Sequence, residues 1–136
     1  MDYRLELVVL PVSDVDRAKT FYTDQVGFHL DVDTSPVEGF RVVQLTPPGS
    51  PCSITIGTGL SDSPPGSYEG LHLVVNDIVA AREELVERGV EVSEIRHMAS
   101  GEWTPGPDPE RQDYASFADF ADPDGNVWVL QEVPTR

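Results

Sequence analysis

His72 is the residue of this sequence whose side chain could take part in the widest range of chemistry. It lies in Leu71–Val75, an apolar run typical of a strand. An imidazole can act as a general base, donate a hydrogen bond to a ligand carbonyl, or bind a metal ion. A histidine on a strand can equally be structural, with a neutral ring bonded to a backbone carbonyl. The sequence leaves these alternatives open, and His72 is the residue on which a catalytic role would rest.

The other reactive side chains are less promising. Cys52 is the only cysteine, so the chain forms no internal disulfide, and no basic residue follows or precedes it closely enough to activate its thiol. His29 and His97 lie near the ends of predicted strands, and we expect both at the surface. Phosphate-loop, dinucleotide and serine-hydrolase motifs are absent. A nucleophilic or nucleotide-dependent activity is therefore not expected.

Charge and length limit the partners. The chain has 136 residues, enough for one domain, and a formal net charge of −15. This charge disfavours nucleic acid and anionic membrane surfaces, and it is compatible with a cationic ligand. The start, MDYRLELVV, is acidic at position 2 and enters a strand at once, so we expect no signal peptide. These features indicate a cytoplasmic protein.

An internal repeat organises the chain. The stretch Leu71–Glu94 reads as strand, helix, turn and strand, and Val9–Asp31 repeats the pattern 62 to 63 residues earlier. Ser13 is expected to cap the first helix, Gly27 to end it, and Asn76 or Asp77 to cap the second. Each half then reads βαβββ, which gives eight strands and two helices in a single domain. The first module covers 1–60, the linker 61–70 and the second module 71–136, with any site expected between the modules.

The second module contains a long segment, 98–113, that is rich in proline and glycine. Such a segment is predicted to be an irregular loop that cannot join the sheet. Trp103 lies within it and could close over a pocket as an aromatic lid. The alternative is that Trp103 contacts a partner chain or lies at a mobile tip.

Two motifs carry a resemblance to a known family. The ending DFADPDGNVWVLQE and the opening LPVSDVDRAKTFYTDQVGF resemble those of the vicinal oxygen chelate (VOC) superfamily. This superfamily includes glyoxalase I, extradiol dioxygenases and bleomycin-resistance proteins. The resemblance implies an α+β fold in which two βαβββ modules curl into a half-barrel cup. It also implies a homodimer, since small members of the family usually pair.

The resemblance further locates four positions that hold a divalent ion in metal-dependent members. In this chain those positions fall on Leu7, Thr55, Gly70 and Val129. Leucine, glycine and valine offer no donor atom, and a threonine hydroxyl is a weak one, whereas zinc or iron needs about three imidazole, carboxylate or thiolate ligands. We therefore expect no metal and no other cofactor.

The same positions define the face that lines the expected cup, because side chains two residues apart on a strand share a face. His72 and Gln131 should point inward, and the face should otherwise be apolar, formed by Leu7, Val9, Thr55, Val74 and Val129. Glu132 should point the other way, together with Trp128 and Leu130, toward the helices. An apolar surface with a few polar groups is the usual make-up of a small-molecule site.

These observations favour a metal-free protein that binds a small molecule, cationic or aromatic, as bleomycin-resistance proteins do. One alternative is a metal-dependent lyase or dioxygenase with a displaced site that uses His72 with Gln131 or Glu132. The other is a metal-free isomerase in which His72 is the general base.

Overall fold

The computed structural model describes all residues, Met1–Arg136, and contains two α-helices, one π-helical segment and nine strands. The elements of the first half are β1 (Leu7–Val9), α1 (Val15–Thr20), the π-helical segment (Phe21–Val26), β2 (His29–Val37), β3 (Phe40–Thr46) and β4 (Ser53–Thr58). Those of the second half are β5 (Leu71–Val75), α2 (Ile78–Glu87), β6 (Arg96–Ala99), β7 (Glu102–Pro105), β8 (Ser116–Ala121) and β9 (Val127–Glu132). Neither helix has the length and apolar character needed to cross a membrane.

The chain divides into two compact units. Unit 1 comprises Met1–Tyr68 with Asp122–Asn126, and unit 2 comprises Glu69–Ala121 with Val127–Arg136. Unit 1 holds a sheet of order β1-β4-β3-β2, called sheet 1, and unit 2 a sheet of order β5-β9-β8-β6-β7, called sheet 2. In both, the first strand pairs in parallel with the last, while the remaining pairs are antiparallel. This repeated topology confirms the predicted α+β fold of two similar modules.

The core of unit 1 forms on one face of sheet 1. Alternate residues of β3 and β4 are buried and apolar, as expected of strands with one packed face: Val43, Leu45, Ile54 and Ile56. The helix α1 lies against β4 and buries Ala18, and the π-helical segment that continues it buries Phe21 and Tyr22. Gly27 ends the helix at φ 90°, as predicted.

The cap of α1 differs from the prediction. Asp14, not Ser13, is the N-cap, and its carboxylate accepts a 3.0 Å hydrogen bond from the Arg17 amide. The Ser13 hydroxyl instead donates to the carboxylate of Asp124, in the 122–126 turn of the same unit. In that turn, buried Asp122 accepts hydrogen bonds from the Tyr22 hydroxyl at 2.8 Å and from the Asn126 backbone amide at 3.0 Å. The Ser13 side chain therefore bonds to a turn that is distant in sequence, an interaction that the residues around Ser13 do not predict.

The core of unit 2 lies between α2 and one face of sheet 2. It is formed by large apolar side chains from the helix and from β8 and β9, among them Ile78, Leu85, Phe120, Trp128 and Leu130. Asp77, one of the two predicted caps, is the N-cap of α2. Its carboxylate accepts a 3.1 Å hydrogen bond from the Ala80 amide.

The prediction of an irregular loop over 98–113 is wrong for the first half of the segment, whereas residues 106–113 form turns without helix or strand. Met98 and Ala99 end β6, and residues 102–105 form β7, which pairs with β6 as a hairpin. Its two-residue turn, Ser100-Gly101, has φ values of 52° and 79°, the pair of positive angles that matches the twist of a tight hairpin. Pro105 is tolerated because β7 is the edge strand of sheet 2. The hairpin adds two strands, and the loss of the one expected just before it leaves nine strands in place of eight.

Two further predictions about this region need correction. The second strand expected within Leu71–Glu94, after the helix, is reduced to a single bridge between Val92 and Phe120, and regular pairing begins only at Arg96. His97 is buried, not at the surface, and its Nδ1 lies 2.7 Å from the carbonyl oxygen of Gly106. A carbonyl only accepts, so Nδ1 donates and the ring ties the end of the hairpin to the following loop. His29 is exposed, as predicted.

Candidate functional site

About half of the residues predicted to form the site lie on the partly exposed face of sheet 2. His72 lies opposite Val129, and Val74 opposite Gln131, in the parallel pair of β5 and β9. Phe117 of β8 lies opposite Gln131 on the other side. Paired residues point to the same face, so His72, Val74, Val129 and Gln131 share one surface that the helix does not cover.

The neighbouring residues of β9 point to the packed face. Trp128, Leu130 and Glu132 are buried, whereas Val129 and Gln131 are only partly so. The predicted alternation of this strand is confirmed. Because Glu132 lies on the opposite face from His72 and Gln131, these three side chains do not converge on one point.

His72 is exposed, and its Nδ1 lies 3.1 Å from Oε1 of Gln131. The amide nitrogen of Gln131 donates in turn to the backbone carbonyl of Tyr114 at 3.2 Å, which places Oε1 toward the histidine. Since Oε1 only accepts, Nδ1 carries the proton in this bond. In the neutral tautomer with this proton on Nδ1, Nε2 is an acceptor, and it is the atom that a general base or a hydrogen-bond acceptor would use.

Trp103 is part of the sheet, not of a loop. It lies on β7, with its ring edge-to-face to Phe117 at 5.5 Å and the guanidinium of Arg96 at 5.0 Å from its centroid. Arg96 also pairs with Asp119 of β8. Trp103 nevertheless remains 53% exposed. It is therefore a fixed, half-open aromatic surface beside a charge that is already paired.

Two open grooves border this hairpin. One, of about 360 Å³, is lined by Glu94, Ile95, Arg96, Trp103 and Thr104 among others, and the second, of about 380 Å³, by Arg82, Glu94 and Pro107 among others. Neither includes His72 or Gln131. The two grooves lie at the β7 edge of sheet 2, apart from the edge strand β5 that carries His72.

The remaining predicted residues lie on the partly exposed face of sheet 1. Leu7 and Val9 of β1 lie opposite Ser53 and Thr55 of β4. Gln44 of β3 lies opposite Thr55 on its other side. Thr55 is 5% exposed, and its hydroxyl makes no hydrogen bond. The face thus combines two aliphatic side chains with a buried hydroxyl and an amide.

The residues at the four metal positions do not fit a divalent ion. Leu7 and Val129 carry no donor atom, Gly70 has no side chain, and Thr55 offers one hydroxyl. No group of three or more histidine, cysteine, aspartate or glutamate side chains is clustered in a way that could hold a metal. A displaced site that uses His72 with Glu132 would also fail, because Glu132 lies on the other face of β9. His72 with Gln131 brings two side chains together, fewer than the three or so ligands that zinc or iron needs.

Glu132 has a structural role that the sequence did not predict. Its fully buried carboxylate accepts from the Ile78 amide at 2.8 Å, at the start of α2, and from Nε of Arg111 at 2.7 Å. Nη2 of Arg111 also binds it. The hydrogen bonds from Arg111, and secondarily the one from Ile78, hold the pKa of Glu132 below its usual value against the opposing effect of burial. Glu132 in turn raises the pKa of Arg111.

Two units that each contain a helix and a mixed sheet, with the first strand parallel to the last, define a class of two-module α+β proteins. The chain belongs to the Glyoxalase/Bleomycin resistance protein/Dioxygenase superfamily, whose family model matches residues 4–130. The resemblance to the vicinal oxygen chelate superfamily is confirmed.

Solved structures of Streptomyces proteins are similar over nearly the whole chain. One is TnmS3, an antibiotic-binding protein from Streptomyces sp. CB03234, which is 35% identical with a TM-score of 0.75 and 97% coverage of both chains. A glyoxalase/bleomycin resistance protein from the same source is 36% identical with a TM-score of 0.73, covering 95% of this chain and 100% of that one.

A third similar structure comes from another organism. It is a member of the same superfamily from Sphaerobacter thermophilus, which is 29% identical with a TM-score of 0.74, covering 96% of this chain and 98% of that one.

Proposed function

We propose that this protein binds a small organic molecule on a partly exposed sheet face, without the divalent ion of the metal-dependent family members. The observation that carries the proposal is the identity of the residues at the metal positions, Leu7, Thr55, Gly70 and Val129, which supply one hydroxyl in place of a ligand set. Apolar side chains at such positions favour an organic ligand over an ion.

The chemistry of the faces supports an aromatic ligand. Trp103 and Phe117 already form an aromatic pair, and Trp103 keeps half of its surface free to contact a further ring. His72 and Gln131 add fixed polar groups on the same face. The antibiotic-binding relative, at 35% identity over almost the full length, supports the same class of function and extends it to antibiotic-like molecules.

The cationic character of the ligand has weaker support. The net charge of −15 would attract a cation at long range. On the face of sheet 2, however, the carboxylate of Asp119 is paired with Arg96. An uncharged aromatic ligand therefore fits the local chemistry better than a cation does.

Tryptophan fluorescence tests the proposal. Trp128 is 3% exposed, so quenching by a ligand should come from Trp103. We expect aromatic compounds to quench the parent protein and Trp103→Phe to lose that signal. His72 lies on the opposite edge strand of sheet 2, so a ligand held there should instead bind His72→Ala more weakly by about 1–3 kcal/mol, the cost of an unmet polar group. The control is His29→Ala, an exposed histidine of unit 1. Equal affinity and quenching in all of these proteins would refute the proposed site.

A metal-free isomerase is the second candidate. The bond from His72 Nδ1 to Gln131 favours it, because that bond leaves Nε2 as an acceptor that could remove a proton from a ligand. A bound ketone with an acidic C–H would then exchange that hydrogen for deuterium in D₂O, and His72→Gln would bind the ketone without exchanging it. Exchange at the same rate in His72→Gln would exclude this role.

The assembly and location form part of the same proposal. We propose a homodimer, because Leu5, Val37 and Met98 are large apolar side chains with at least half of their surface exposed. We also propose a cytoplasmic protein, since the single cysteine requires no oxidising compartment.

A further inference from the structure

A row of uncharged polar side chains crosses the partly exposed face of sheet 1. The Thr46 hydroxyl contacts the carboxylate of Asp31, and its oxygen lies 2.6 Å from the Ser53 hydroxyl. The Ser53 oxygen lies 3.3 Å from the amide nitrogen of Gln44. Gln44 is the register partner of Thr55. The row therefore leads from a charged residue at the sheet edge to the hydroxyl that lacks a partner.

The direction of each hydrogen bond in this row follows from the carboxylate. Asp31 can only accept, so Thr46 donates to it. Thr46 has then used its proton, so Ser53 must donate to Thr46. Ser53 in turn can only accept from Gln44, which fixes the Gln44 amide with its nitrogen toward Ser53 and its oxygen, Oε1, turned away.

Two polar atoms are left over where the row ends. Oε1 of Gln44 accepts no hydrogen bond within the protein, and the Thr55 hydroxyl neither donates nor accepts one. Thr55 is 5% exposed, so water does not easily satisfy it. A buried polar group without a partner is unfavourable and therefore calls for an explanation, such as a ligand that completes it.

We infer that Thr55 and Gln44 form a donor–acceptor pair that binds a neutral ligand group carrying both a hydrogen-bond donor and an acceptor, such as a carboxamide or a hydroxyketone. The inference rests on the proposed function and specifies the ligand class for the sheet 1 face. A ligand N–H or O–H donates to Oε1 of Gln44, and the Thr55 hydroxyl donates to the adjacent ligand carbonyl.

The surroundings favour a neutral ligand over a charged one. The side chains next to the pair on this face, Leu7, Val9 and Val42, are aliphatic. The nearest carboxylate of the row, Asp31, already accepts from Thr46 and lies 3.7 Å from Nε2 of His29. A cation beside Thr55 would lose its hydration without gaining a counter-charge, which is costly.

The test uses benzene derivatives of one size with different polar groups. Benzamide has a donor and an acceptor, acetophenone an acceptor only, toluene neither, and phenyltrimethylammonium a positive charge. Binding is followed by two-dimensional NMR titration of the parent protein and of Thr55→Val, Thr55→Ser and Thr58→Val. Thr58 is an exposed threonine on the same strand and serves as the matched control.

We expect benzamide to bind the parent at least tenfold more tightly than toluene, with acetophenone between them. Thr55→Val should remove about tenfold of the benzamide affinity, which corresponds to 1.4 kcal/mol. Thr55→Ser should retain that affinity, and Thr58→Val should not alter it. Without ligand, Thr55→Val should melt at or above the parent temperature, because valine replaces an unpartnered hydroxyl by a methyl group of the same shape.

The outcomes separate the two claims. The parent and Thr55→Val could both bind benzamide more tightly than toluene, by the same factor. In that case Thr55 and Gln44 are not the binding group, although the proposed function stands. Tightest binding by phenyltrimethylammonium, or a clear fall in the melting temperature of Thr55→Val, would also overturn the inference. If none of the compounds binds the parent, the proposed function fails together with it.

Discussion

Glu132→Gln is the substitution for which the structure gives the clearest magnitude. The carboxylate is fully buried and accepts three hydrogen bonds, one from the Ile78 amide and two from Arg111. Glutamine has the same shape but only one acceptor oxygen, and its amide nitrogen would face a donor. Breaking a buried ion pair from one side costs about 3–5 kcal/mol.

That figure needs reduction, because the Arg111 side chain is 40% exposed and water can solvate it when its partner is removed. We therefore expect Glu132→Gln to lower the free energy of unfolding by about 2–3 kcal/mol, or roughly 8–12 °C in melting temperature for a chain of this size. Glu84→Gln is the control, since Glu84 forms an exposed pair with Arg88 and should cost about 0.3–0.5 kcal/mol.

The pH dependence of this difference provides the second part of the prediction. The folded-state pKa of Glu132 lies below the ordinary value of 4.5, so its stabilising contribution is complete above that value. The contribution is lost as the pH falls below 4.5 toward the folded-state pKa. The stability gap between the parent and Glu132→Gln should therefore be constant at neutral pH and shrink on acidification.

Urea unfolding followed by tryptophan fluorescence measures this gap, because Trp103 and Trp128 both lie in unit 2 with Glu132. A loss in Glu132→Gln no larger than in Glu84→Gln, or a gap that widens as the pH falls from neutral to acidic, would refute the reasoning about this ion pair.

The hairpin turn, the Tyr22 hydroxyl and the exposed apolar side chains can each be tested by one substitution or one measurement. Gly101→Ala should destabilise the β6–β7 hairpin by about 1–2 kcal/mol, because φ is 79° there, whereas Ser100→Asn should be neutral; equal melting temperatures would contradict this. Tyr22→Phe should lower the free energy of unfolding in urea by about 1–2 kcal/mol, since it removes a 2.8 Å hydrogen bond to buried Asp122. The control, Tyr3→Phe at an exposed position, should not change it measurably. An unchanged free energy of unfolding in Tyr22→Phe would show that the bond is unimportant. Sedimentation should give a mass twice the 14.9 kDa of one chain, and a monomer at tens of micromolar would exclude the proposed homodimer.

The fold was largely predictable because its signals are local and repeated. The alternation of apolar and polar residues from Val127 to Glu132 correctly assigned each side chain of β9 to a face. Asp77 and Gly27 mark helix ends through interactions with their own backbone neighbours, so sequence reasoning could identify them. The internal repeat then joined these local elements into two modules.

The errors arose where distant residues compete with local preferences. Ser13 is a reasonable cap by type, yet its hydroxyl bonds to Asp124, 111 positions away. The β6–β7 hairpin was missed because the prolines around it outweighed the Ser100-Gly101 turn signal, although an edge strand accommodates Pro105. His97 is buried because it bonds to the carbonyl of Gly106, in the loop after the hairpin, and no local signal indicates that contact. The packed position of Glu132 was predicted, but its partner Arg111, from the same loop, was not.

The central claim is that the protein binds an organic ligand without a metal ion. A thermal-shift titration with a panel of aromatic antibiotics, run once in EDTA and once with added zinc, nickel or manganese, tests it most directly. We expect at least one compound to raise the melting temperature by several degrees, and by the same amount in EDTA as with each metal. A stabilisation that appears only when metal is added would contradict the account.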